Sequence, residues 1–180
     1  MKYFTKELWH DTNHENRELR RIAEEKWKEN CAAYAKEFTS VRKKLPRSLV
    51  RQLERYDFHD YTIRGIYLSF GEKSRKSKIV LEYHDELHIL DLKGVQKINL
   101  NCIELNDLPL GELRWGYSEF LAMPDGTVSL SVVCDWDNEF RMDFQRIRYS
   151  IQRKRRELFP LRNGFFHNTC RWIKAKNPLH

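Results

Sequence analysis

"ELRWGYSEFLAMPDGTVSLSVVCDW", residues 112–136, decides the architecture. Two apolar-rich runs flank Pro124-Asp125-Gly126. A glycine accepts the positive φ of a tight turn, so this triplet predicts a hairpin, with a strand on either side. The surrounding segments have the same character. Ile66, Leu68 and Phe70 alternate with Tyr67 and Ser69, and Ile79, Leu81 and Tyr83 alternate again. "LHILDL" (87–92) and "VQKINLN" (95–101) read as extended, with Gly94 interrupting between them. "EFRMDFQRIRY" (139–149) sets Phe140, Met142 and Phe144 against Arg141, Asp143 and Gln145. A period of two marks a strand with one buried face. "GEKSRKSK" (71–78), "HDE" (84–86) and Asp137-Asn138 read as polar turns. Connections this short join antiparallel neighbours, because parallel pairs need long crossovers. The expectation is an antiparallel meander of about six strands over about residues 60–150.

An apolar sheet face needs a cover. Thr12 and Glu15 stand three apart, as a capping box requires. Leu19, Ala23, Trp27, Cys31, Tyr34 and Phe38 then recur every three or four residues. This predicts an amphipathic helix from about residue 13 to 40, whose stripe packs on the sheet. Leu45-Pro46 opens a short second helix with Leu49, Val50 and Leu53 on its apolar side, ending near Tyr56. The fold class is therefore α+β: one domain over residues 1–150, followed by a segment from 151 to 180.

Composition narrows the function classes. The chain has 180 residues, 41% hydrophobic and 13% aromatic, which is globular. No run of about 18 apolar residues is present, so no membrane span is expected. The start, MKYFTKELWHDTN, lacks a signal-peptide core, and a cytoplasmic location is expected. Cys31, Cys102, Cys134 and Cys170 are scattered with no CxxC pair, which argues against a zinc ribbon or a disulfide framework. The net charge of +7 is local. Residues 151–180 hold eight basic side chains and one acidic; removing them from the totals of 33 and 26 leaves 25 of each in residues 1–150. That segment, with Arg153, Lys154, Arg155, Arg156 and Trp172, interleaves cations with aromatics, as single-stranded nucleic-acid binders and anionic-membrane binders do. A tail folded back on the domain is the structural alternative.

Three clusters could carry chemistry. His59-Asp60 could share a proton or bind a metal. It lies at a helix-to-strand junction, where adjacent side chains on a strand diverge, so a local turn with Asp60 as its cap is the simpler reading. His10 and His14 have metal-ligand spacing, but a cap at Thr12 would leave His10 outside the helix. His84, Asp85, Glu86 and His88 read as a polar hairpin tip with His88 facing solvent. GxGxxG, P-loop, GxSxG and HExxH motifs are absent, and no cofactor is expected. Cys134, in an apolar strand, reads as a buried structural thiol. Trp115, Tyr117 and Glu119 alternate along "RWGYSEF" and form a protein-recognition patch if that face is exposed, or core if it faces the helix.

"MKYFTKELW", "LPRSLV", "FHDYTI", "LKGV" and "RWGYSEF", in this order, resemble an uncharacterised bacterial family whose members begin with an MKYFTKE-like stretch. The resemblance covers about residues 1–150. The His-Asp junction leading into a sheet is also similar to small immunity proteins of bacterial toxin systems, which implies a binding protein. The expectation is a non-enzymatic protein that contacts another protein, with His59, Asp60, Trp115, Tyr117 and Glu119 as candidate contacts. The alternatives are nucleic-acid binding through the C-terminal segment and a metal-dependent hydrolase using His59, Asp60, His84 and His88.

Overall fold

A computed structural model describes residues 1–71, 74–101, 113–135 and 138–153. Among these residues, three helices, α1 (Lys6–Thr12), α2 (Arg17–Arg42) and α3 (Arg47–Arg55), precede eight strands. These are β1 (Thr62–Phe70), β2 (Arg75–Tyr83), β3 (Glu86–Lys93), β4 (Lys97–Asn101), β5 (Trp115–Ala122), β6 (Val128–Cys134), β7 (Glu139–Phe144) and β8 (Arg146–Arg153). The fold is α+β and every strand pair is antiparallel.

The single meander is not what forms. The strands divide into two four-stranded sheets, in the orders β1-β2-β3-β8 and β4-β7-β6-β5. "EFRMDFQRIRY" is two strands in different sheets, broken at Gln145. Pairing explains the break. β3 runs against β8, ending at Lys93 opposite Arg146, and β4 runs against β7, starting at Lys97 opposite Asp143. The two ladders form one ribbon that bends at a corner. There the Gln145 N–H donates to the Lys93 carbonyl (3.1 Å) and the Gln96 N–H to that of Asp143 (2.8 Å). Strands that pass from one sheet to another at a bend are the usual makers of such corners. Gly94 sits in this bend at φ 64°, and a Cβ there would stand 2.6 Å from the Gln145 side chain, so the corner favours glycine. A second corner joins the other edges: Thr62 bridges Arg114, and Tyr61 accepts from the Trp115 N–H at 2.8 Å.

The core lies between the sheets. Ile79, Leu81, Leu90 and Leu92 of the first face Leu130, Val132, Met142 and Phe144 of the second, with Val41, Leu45, Leu49 and Val50 from the helical end in the same cluster. Phe58 ties both layers: its ring lies 5.5 Å from Trp115 and 6.0 Å from Tyr149. The C-terminal end of α2 and α3 close one end of this core, but the Trp27 stretch of α2 does not cover it. α1 and α2 pack on the outer side of the second sheet, where Trp27 meets Tyr117 at 4.5 Å and Phe4 meets Trp27 at 5.0 Å.

The helix boundaries differ from the capping-box reading. Thr12 ends α1, its hydroxyl donating back to the Trp9 carbonyl (2.7 Å). Asn16 caps α2 instead, accepting from the Glu18 and Leu19 N–H groups at 2.9 and 3.3 Å. Either residue type can cap, and spacing alone did not separate them. His10 therefore lies on α1, and His14 lies between the helices. Ala23, Trp27, Tyr34 and Phe38 turn inward or partly inward, whereas Leu19 and Cys31 are exposed.

Candidate functional site

β2 opens the site, and its first residues belong to "GEKSRKSK", expected as a loop. Instead Ser77, Ile79 and Leu81 point inward, and Lys76, Lys78 and Val80 point outward. A strand can carry this polar sequence because its neighbours on both sides complete its ladder. Register then lines up two outward rows across the first sheet. One is Tyr67–Lys78–Asp91–Arg148 and the other Ser69–Lys76–Lys93–Arg146. The rows contain five cations and one carboxylate, Asp91, whose Oδ1 stands 4.0 Å from Lys78 Nζ. A depression of about 410 Å³ lies among Tyr67, Lys76, Lys78, Asp91 and Arg148. Tyr67 is 56% exposed on the edge strand β1. Lys76, Lys78, Lys93, Arg146 and Arg148 are all exposed on this outer face.

The outer face of the second sheet is occupied. A register shift at Gly116 divides the predicted Trp115, Tyr117 and Glu119 patch between two faces. Trp115, opposite Cys134, is fully buried between the sheets, 5.7 Å from Phe140. Tyr117 and Glu119 lie beneath the N-terminal segment and helices. Glu119 is fully buried, and its carboxylate accepts from the backbone N–H groups of Lys2 (2.8 Å), Tyr3 (2.6 Å) and Phe4 (2.7 Å). Trp115 and Glu119 therefore have no surface to offer a partner. Cys134 is buried, as its apolar strand implies.

His59 and Asp60 stand in a turn, not on a strand, and so they do converge: His59 Nδ1 is 3.0 Å from Asp60 Oδ2. Both are exposed, and the turn is capped by Asp57, which accepts from the Phe58 N–H at 2.7 Å, rather than by Asp60. The His59 ring lies 4.9 Å from Tyr117, whose hydroxyl is held above its ordinary pKa by burial and by Asp60 and Asp57. Three of the five predicted contacts thus share one small patch.

His88 does not face solvent. It is buried, with Nδ1 2.6 Å from the Tyr149 hydroxyl and Nε2 3.7 Å from Glu86 Oε2. Burial lowers its pKa and Glu86 partly opposes this. His84 is in the β2–β3 turn at φ 52°. Among the described residues no three His, Cys, Asp or Glu side chains are grouped to hold a metal. No described helix is long and apolar enough to cross a membrane. Arg153 ends β8, exposed, with Nε 3.5 Å from Glu86 Oε1. Lys154, Arg155, Arg156 and Trp172 lie outside the described residues.

No family model and no curated protein matches this chain. The residues that sequence reasoning missed are Lys76, Lys78, Lys93, Arg146 and Arg148. Their signal was the alternation Lys76-Ser77-Lys78-Ile79, which continues the strand pattern of Ile79-Leu81 toward its N-terminal side.

Proposed function

We propose that this chain is a non-enzymatic binding protein that holds a nucleic acid on the outer face of its first sheet. One observation carries the reading: two adjacent rows of that face present five exposed cations against Asp91. Phosphate contacts from Lys and Arg release counterions, which makes such binding steeply salt-dependent. The basic stretch of sequence from Arg153 onward continues from β8, which also supplies Arg146 and Arg148. Fluorescence anisotropy with labelled RNA and DNA across a salt series tests this. Five phosphate contacts give a log–log slope of roughly −3.5 to −4.5. The double variant Lys78→Glu/Arg148→Glu should remove most of the affinity. Wild-type affinity in that variant would overturn the reading.

A second reading is a protein contact through His59, Asp60 and Tyr117, which the turn gathers into one patch. The resemblance to immunity proteins supports it. Co-purification from the native cell would recover a defined partner with the wild-type chain and lose it with His59→Ala/Asp60→Ala. Equal recovery by both would remove this patch from consideration.

A further inference from the structure

We infer that Tyr67 is a stacking platform, and that the nucleic acid taken by this face is single-stranded, with one base on the Tyr67 ring and its flanking phosphates on Lys76, Lys78 and Arg148. The inference rests on the nucleic-acid reading above and adds to it.

The ring's position carries the argument. Tyr67 and Gly65 lie two apart on the same outward face of β1, opposite Lys78 and Val80. A Cβ placed on Gly65 would stand 2.9 Å from Tyr67 Cε2 and 3.0 Å from both Cζ and the hydroxyl oxygen. The ring therefore leans back along the strand and rests over the bare glycine backbone. The tip of the ring is seated there, and Tyr67 as a whole is still 56% exposed. An aromatic side chain that merely projects from a strand has to be ordered when it binds. One laid against its own strand is already ordered, and this lowers the entropic cost of stacking.

Charge surrounds the platform on the inward side of the edge. Lys78 is directly across from Tyr67, with Lys76 on the diagonal and Arg148 further along the same row. The depression of about 410 Å³ runs between them. Because β1 is an edge strand, a chain crossing this face meets the ring first and then the cations. Sequence-tolerant single-strand binding uses this combination, a basic track with aromatic rings that take successive bases. A duplex keeps its bases stacked internally and can use only the cations. An acidic peptide can likewise match the charge but has no base to place on the ring.

Anisotropy with a labelled oligothymidine of about 12 nucleotides, within the range of single-strand site sizes, tests the inference against a duplex and a poly-glutamate competitor. Tyr67→Leu should weaken single-strand binding about 10- to 100-fold, with little change for the duplex, while Tyr67→Phe retains it. Gly65→Ala changes no charge, but its methyl displaces the ring and should reproduce much of the Tyr67→Leu loss. Thermal melting of each variant confirms that it is folded. Unchanged single-strand affinity in Tyr67→Leu, with loss in Lys78→Glu/Arg148→Glu, would overturn the stacking and leave the basic face standing. Displacement by poly-glutamate at equal charge concentration would also overturn it. Absence of binding to either nucleic acid at low salt would overturn both readings together.

Discussion

Glu119 is a carboxylate with no exposed surface, held by three consecutive backbone N–H groups from the other end of the chain. Glu119→Gln replaces one acceptor oxygen with a donor facing those N–H groups, and should cost about 1–3 kcal/mol. Urea denaturation would show a lower midpoint at an unchanged m-value. His88 gives a pH signature. It is enclosed by Tyr149 of β8, Tyr61 of the junction and Phe58, with Glu86 as the nearby carboxylate. Burial holds its folded pKa below the ordinary value of about 6.5. The unfolded chain therefore takes up a proton first as pH falls, and stability should drop below about pH 6.5 toward the folded pKa. Denaturation at several pH values should show this drop in the wild type and a shallower one in His88→Gln. Neither role was legible. In "LHILDL" both faces are apolar, Leu87 and Ile89 on one and Leu90 and Leu92 on the other, so period two could not say which way His88 points. Glu119 depends on amides more than 110 residues away in sequence, and no local pattern encodes that.

The capping assignment can be tested one helix at a time. Asn16→Ala should destabilise the protein by about 1 kcal/mol and Thr12→Ala by clearly less, since Thr12 ends α1 and does not begin α2. Thermal melting that ranked them the other way would restore the capping-box reading. At the first corner, Gly94→Val puts a branched side chain at φ 64° and against Gln145. A cost of at least 1–3 kcal/mol follows from the backbone alone, and urea denaturation measures it. The short helix after Pro46, the hairpin at Gly126 and the Ala23, Trp27, Tyr34 and Phe38 positions of the helix stripe were legible, because each rests on contacts a few residues apart; Leu19 and Cys31 of that stripe are exposed. β2 began earlier than expected because Lys76 and Lys78 carry no apolar signal, although Ser77 between them is buried. That is also why the basic face was missed: its residues looked like a loop until register set them in rows.

At the scale of the whole molecule, antiparallel α+β architecture could be read from turn spacing, but the division into two sheets could not. Partner choice joins residues 86–101 to residues 139–153, and such long-range closures leave no periodic trace. The ladder of the first sheet also runs past residue 150. β8 pairs with β3 as far as Arg153 opposite Glu86. A chain ending at Ser150 loses three residue pairs at the end of that ladder, whereas one ending at Arg153 keeps them all. The shorter chain should melt at a lower temperature, and comparison of nucleic-acid binding with and without the basic segment belongs to the chain ending at Arg153. The bent ribbon has a further consequence. Since β3–β4 and β7–β8 carry one hydrogen-bonded track through both sheets, neither sheet can open while the other stays closed without tearing amides at the corner. Native-state hydrogen exchange should therefore find the central strands of both sheets exchanging through a single global opening, with the same free energy on either side of Gly94.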